Sequence, residues 1–140
     1  MSSKKHIQSL SVEASTAHLA EVRDFVASYA VKVGFSQKEI SEIRLAVDEA
    51  YTNIIKHAYK NNGTNPVEIQ LGSDNNSFWI SLMDQGESFD MSTYKEPQLL
   101  EQIKQKKRGG MGVYLINKLM DQVQYSRKGN FNEIRMTKHL

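Results

Sequence analysis

The hydrophobic period of this chain changes along its length, and the change limits the folds open to it. From about residue 15 to 60 apolar residues recur at helical spacing, whereas over 66–84 and 121–137 they alternate with polar ones, as in strands with one buried face. Ser15 or Thr16 can cap a first helix, which carries Leu19, Val22, Phe25, Val26 and Tyr29 and stops near Gly34. Ser36 caps a second helix, and Glu39 completes a capping box. That helix is expected to run to about residue 59 or 60, with Ile40, Ile43, Val47, Ala50, Tyr51, Ile54 and Ala58 on one face, and Asn61-Asn62-Gly63 stops it. Residues 5–12 read as an edge strand, and further strands are expected at about 66–72, 77–84, 121–127 and 131–137, the last two joined by Lys128-Gly129-Asn130. The segment 85–108 has no clean period, and Gly109-Gly110-Met111-Gly112 opens a third helix with Val113, Leu115, Ile116 and Leu119. This order predicts an α+β two-layer sandwich, a mostly antiparallel sheet with its helices on one face.

The 140 residues suit one domain, 1–140, with a real core, and 39% hydrophobic with 24% charged residues is ordinary for a globular chain. The absence of cysteine excludes disulfides, thiol nucleophiles and thiolate zinc sites. No apolar run reaches the ~18 residues of a spanning helix. Lys4 and Lys5 have no apolar run behind them, so the N-terminus does not read as a signal peptide and a soluble cytoplasmic protein is expected, with no membrane partner. A net charge of +2 gives no field that argues for nucleic acid.

The second helix carries polar residues that its core face does not explain. With about 100° of rotation per residue, Glu49, Asn53 and His57 fall at about 200°, 240° and 280° from Val47, stacked at i, i+4 and i+8. Such a row is also the ordinary solvent face of an amphipathic helix. If it faces a pocket, the carboxylate can accept a proton or orient a hydroxyl, and the Asn oxygen is a hard ligand suited to Mg²⁺.

Two further pieces follow. Asp84-Gln85-Gly86 stands where a strand gives way to irregular chain. The carboxylate can accept from an adenine amino group and the glycine allows close approach to a flat ring, although Asp-x-Gly also simply ends strands. In Arg108-Gly109-Gly110-Met111-Gly112, glycines before a helix let N–H groups converge on a phosphate, with Lys104, Lys106, Lys107 and Arg108 adding positive charge. The same residues also suit a hinge beside a solvated basic run. The run lacks the Gly-Lys-Ser/Thr of a Walker loop and the preceding strand of a dinucleotide fingerprint.

Together, Glu49-Ala-Tyr-Thr-Asn53-Ile-Ile-Lys-His57-Ala-Tyr59, Asp84-x-Gly86 and Arg108-Gly-Gly-Met-Gly112 resemble the N box and two glycine boxes of the GHKL ATPases, and more narrowly the bacterial anti-sigma-factor serine kinases. The resemblance covers about residues 5–138 and implies the GHKL (Bergerat) ATPase fold, with a lid at about 86–108. It implies ATP and Mg²⁺ as cofactors. Glu49 would be the general base, Asn53 would hold Mg²⁺, Asp84 would bind the adenine amino group and Gly86 would lie beside the ring. Gly110, Met111 and Gly112 would line the triphosphate, and Arg108 would contact the γ-phosphate or the substrate. The implied activity is ATP-dependent phosphorylation of a serine or threonine on an anti-sigma-factor antagonist. The family's other partner is a sigma factor, and its members are commonly homodimers. The alternative is a nucleotide-binding module that sequesters its partner without turnover. One position departs from many members, which carry a second glycine where this chain has Ser88.

Overall fold

The computed structural model describes residues 6–58, 65–86 and 115–140. Strand β1 (His6–Glu13) leads through a short 3-10 turn, Thr16–His18, into helix α1 (Leu19–Val33). Ser15 caps the 3-10 turn rather than α1 itself, its side chain accepting from the Ala17 N–H. Helix α1 stops at Gly34, whose φ of 107° is open to glycine and costly for residues with a Cβ. Helix α2 (Gln37–Asn53) begins with the expected capping box between Ser36 and Glu39. Its α-helical part is shorter than the apolar period suggests: from Ile54 to Ala58 the chain continues as a π-helical turn. Strands β2 (Pro66–Ser73), β3 (Ser77–Asp84), β4 (Gln122–Lys128) and β5 (Phe131–His139) follow, with a helical segment at 115–119 before β4.

The five strands form one sheet in the order β1-β2-β3-β5-β4, with every pairing antiparallel. One row of partners, Leu10–Ile69–Leu82–Ile134–Tyr125, crosses the whole sheet on the face that meets the helices. Against it pack Val22, Val26, Tyr29 and Ala30 of α1 and Ile43, Ala46, Val47, Ala50 and Tyr51 of α2. Tyr29 stacks on Phe78 with ring centroids 5.5 Å apart, and Phe35 meets the same ring edge-on at 5.7 Å. Each fully buried large apolar side chain of this kind contributes roughly 1.5–3 kcal/mol.

Polar groups tie the layers together. The Tyr51 hydroxyl lies 2.7 Å and 2.8 Å from the carbonyl oxygens of Glu13 and Ser15 and accepts from the Ser15 N–H at 3.1 Å, fastening the end of β1 to α2. Arg23 of α1 grips Asp48 of α2 through both carboxylate oxygens, each at 3.0 Å. Lys138, on the inward face of β5 and buried, donates to the Leu119 carbonyl at 2.8 Å and sits 3.4 Å from Glu42. It thereby holds the end of the 115–119 segment against the sheet. Among the described residues no helix is long and apolar enough to cross a membrane.

Candidate functional site

Two of the residues singled out from the sequence stand at the end of α2. Glu49 and Asn53 lie one turn apart in the α-helical part, so their i, i+4 stacking holds, and both are half-buried. Neither side chain has a hydrogen-bond or ion-pair partner among the described residues. Asn53 is the last residue of α2, and the turn that follows it, Ile54–Ala58, is wider, with i→i+5 bonding. The core side of this helix end is apolar: Ala50, Tyr51, Ile54 and Ile55 are buried.

The second group is at the end of β3. Asp84 closes the strand on its inward face and is buried, with 5% of its surface exposed. Its Oδ1 accepts from the Gly86 N–H at 2.9 Å, a short-range Asx turn that ends the strand and orients the carboxylate. The same Oδ1 accepts from Asn132 Nδ2 at 2.9 Å. Asn132 Nδ2 also donates to the Gly86 carbonyl at 3.0 Å, and Asn132 Oδ1 accepts from Arg127 Nη1 at 2.7 Å. Antiparallel register makes this possible, since Asp84, Asn132 and Arg127 are successive partners across β3, β5 and β4.

Sequence reasoning did not single out Asn132 or Arg127. A local signal was present: Asn132 shares the alternating face of Ile134 and Met136, and Arg127 that of Val123 and Tyr125, so each is a polar residue beside apolar neighbours on the inward face. Arg108, Gly110, Met111 and Gly112, the lid beyond Gly86, Ser88 and the basic run lie outside the described residues. No described side-chain hydrogen bond or ion pair joins the α2 group to the β3 group.

The donor set fits the chemistry expected of it. Asp84 is an acceptor at the mouth of an apolar sheet face, suited to an amino group on a flat ring. Asn53 offers a carbonyl oxygen that is uncommitted among the described residues. Mg²⁺ takes few protein ligands beside water and phosphate oxygens, so a single such donor fits it; no group of three metal-binding side chains gathers among the described residues. Glu49 offers a carboxylate that can accept a proton.

The chain belongs to the histidine kinase-like ATPase domain family, whose model matches residues 12–138. Within that family it is similar to serine-protein kinases: RsbW of Halalkalibacterium halodurans is 35% identical over 135 residues, covering 94% of this chain and 82% of that protein. RsbW of Bacillus subtilis is 29% identical over 138 residues, covering 94% and 84%. Among solved structures, the SiaB–SiaC complex of Pseudomonas aeruginosa aligns with a TM-score of 0.69 at 15% identity, over 93% of this chain and 88% of that one. The RsbU and RsbW domains of a Mycobacterium tuberculosis protein align at 0.68 and 12% identity, over 95% of this chain and 31% of that one. These two likenesses speak to the fold alone.

Proposed function

We propose that this chain is an ATP-dependent protein-serine kinase whose substrate is a small regulatory protein, an anti-sigma-factor antagonist. The observation that carries the reading is the pair Glu49 and Asn53, half-buried, one turn apart and without partners among the described residues at the end of α2. The kinship with serine-protein kinases supports it.

In this reading Asp84 accepts from the adenine amino group and Gly86 lies beside the ring. Gly110, Met111 and Gly112 line the triphosphate with backbone N–H groups, and Arg108 contacts the γ-phosphate. Asn53 gives an oxygen to Mg²⁺, which when bound neutralises phosphate charge. Glu49 takes the proton of the serine or threonine hydroxyl as its oxygen attacks the γ-phosphorus. The bond from that phosphorus to the β–γ bridging oxygen breaks, ADP leaves, and the proton passes from Glu49 to water. The protein works in the cytoplasm as a homodimer and takes a sigma factor as its second partner.

The test is a capture experiment from the protein's own cell lysate, with and without Mg–ATP, followed by transfer from labelled ATP to the captured protein. Label is expected on a serine or threonine of that protein and is expected to vanish with Glu49→Gln. A partner that is bound but never labelled would mean that the domain acts by sequestration without turnover.

A further inference from the structure

The inward face of the sheet changes character along one row. At the β1–β2 side the row is Val12 and Val67, buried and apolar; continuing across β3, β5 and β4 it becomes Asp84, Asn132 and Arg127. The three polar residues form a chain of bonds with one chemical direction. Arg127 is only a donor, and the Asp84 carboxylate and Gly86 carbonyl are only acceptors. The Asn132 amide therefore has one satisfactory orientation, with its oxygen toward Arg127 and its nitrogen toward Asp84 and Gly86. Arg127 Nη1 also reaches the Gly86 carbonyl, at 3.4 Å. Both hydrogen bonds of the Asp84 carboxylate fall on Oδ1, and among the described residues Oδ2 carries none.

We propose that Asn132, its amide fixed by Arg127, is the positioning residue for purine recognition: it fills Oδ1 of Asp84 and pins Gly86, leaving Oδ2 as the acceptor for the exocyclic amino group of the bound nucleotide. The proposal rests on the ATP-binding reading of the same site and adds to it which residues make the aspartate selective. A carboxylate free to rotate can accept from many donors in many directions. One held by two N–H groups at 2.9 Å offers a single remaining oxygen in a fixed place. A 6-oxo purine would set acceptor against acceptor there, so the clasp favours adenine over guanine nucleotides.

The experiment compares, by calorimetry, the affinities of the whole protein for Mg–ATP, Mg–GTP and the triphosphate of purine riboside, which lacks the 6-amino group. For the native chain, loss of the amino group is expected to weaken binding roughly 10- to 100-fold, the value of a hydrogen bond to a charged group. In Asn132→Ala that ratio falls to a few-fold, through weaker ATP binding and not through tighter binding of the analogue. Arg127→Met, which leaves the amide in place but unfixed, gives an intermediate ratio. Asn132→Ser, with one hydroxyl proton for two acceptors, also gives an intermediate ratio and serves if the alanine variant does not fold. In the kinase assay the KM for ATP rises while kcat at saturation stays. An unchanged amino-group ratio in variants that still bind ATP overturns the role of Asn132 and leaves the ATPase reading intact. No binding of ATP by the native chain overturns both.

Discussion

At the first turn of α2 the Ser36 hydroxyl accepts from the Glu39 N–H at 3.2 Å and the Glu39 carboxylate accepts from the Ser36 N–H at 3.0 Å, so the exposed polar groups answer one another. At the last turn Glu49 and Asn53, half-buried, answer nothing among the described residues, and the backbone widens into a π-helical turn. The first end is built for stability. The second leaves its hydrogen-bonding capacity unmatched among the described residues, and a polar group in a half-buried place gains most from a partner that a ligand supplies. The difference within one helix sets the end that serves the fold against the end proposed as the site, and it predicts which substitutions will separate the two.

The largest effect belongs to the open end. Glu49→Gln is expected to slow phosphoryl transfer by about 10²–10⁴-fold, the usual contribution of a general base. Because the native carboxylate has no described partner, urea unfolding should change by less than about 1 kcal/mol. A larger loss of stability would show that Glu49 belongs to the structural half of the helix. Asn53→Ala comes next. Titration with ATP in the presence and absence of Mg²⁺ should show the magnesium-dependent part of affinity reduced on the order of tenfold, as for loss of one bond to a charged group. An equal loss with and without the cation would assign Asn53 a different role.

On the opposite face of the same helix, Tyr51→Phe strips the hydroxyl that holds the Glu13 and Ser15 carbonyls and the Ser15 N–H. The expected cost is about 1–3 kcal/mol, read as a lower urea midpoint with unchanged slope. Burial raises the Tyr51 phenol above its ordinary value of 10.0. Its contribution is therefore complete below that value and is lost as pH rises toward the raised folded value, and Tyr51→Phe should flatten this alkaline limb. An unchanged limb would mean that another group is responsible.

The smallest effects lie at the closed end. Ser36→Ala should cost about 1 kcal/mol of stability and leave transfer per folded molecule untouched. The Glu39 carboxyl is held below its ordinary 4.5 by its hydrogen bonds from Ser36. Its contribution is present above that value and is lost as pH falls through the lowered folded value; Glu39→Gln, which keeps the capping geometry, should make the acid limb shallower. Reduced activity in the folded Ser36→Ala protein would break the separation of the two ends.

Both ends of the comparison differ in how far they were legible beforehand. The capping box, the Gly34 stop and the β2–β3 strands rest on interactions within a few residues, and the periods alone place them. Glu49 and Asn53 were legible for the same reason, since an i, i+4 row is a local property. The π-helical turn at Ile54–Ala58 was not, because its apolar residues satisfy an α-helical period equally well. Nor was the placement of β5 between β3 and β4, or the Asp84–Asn132–Arg127 row that follows from it. Residues 84 and 132 are brought together by strand pairing across a long stretch of sequence, and no spacing rule reaches that far.

The sheet's other face carries a feature with a practical use. The chain's one tryptophan, Trp79, lies across Gly72, where a built Cβ would run into the indole, and the Arg135 guanidinium sits 4.3 Å from its ring centroid. Gly72 is the strand partner of Trp79 on β2, and Arg135 comes from β5 on the other side. The fluorophore is thus clamped by both neighbouring strands on the face away from the helices. Its emission is an optical gauge of whether β2, β3 and β5 are still joined, and it lies on the other face of the sheet from the residues proposed to act at the end of α2. A variant that is silent toward ATP but keeps the native tryptophan spectrum has lost its site; one whose spectrum shifts as well has lost its sheet.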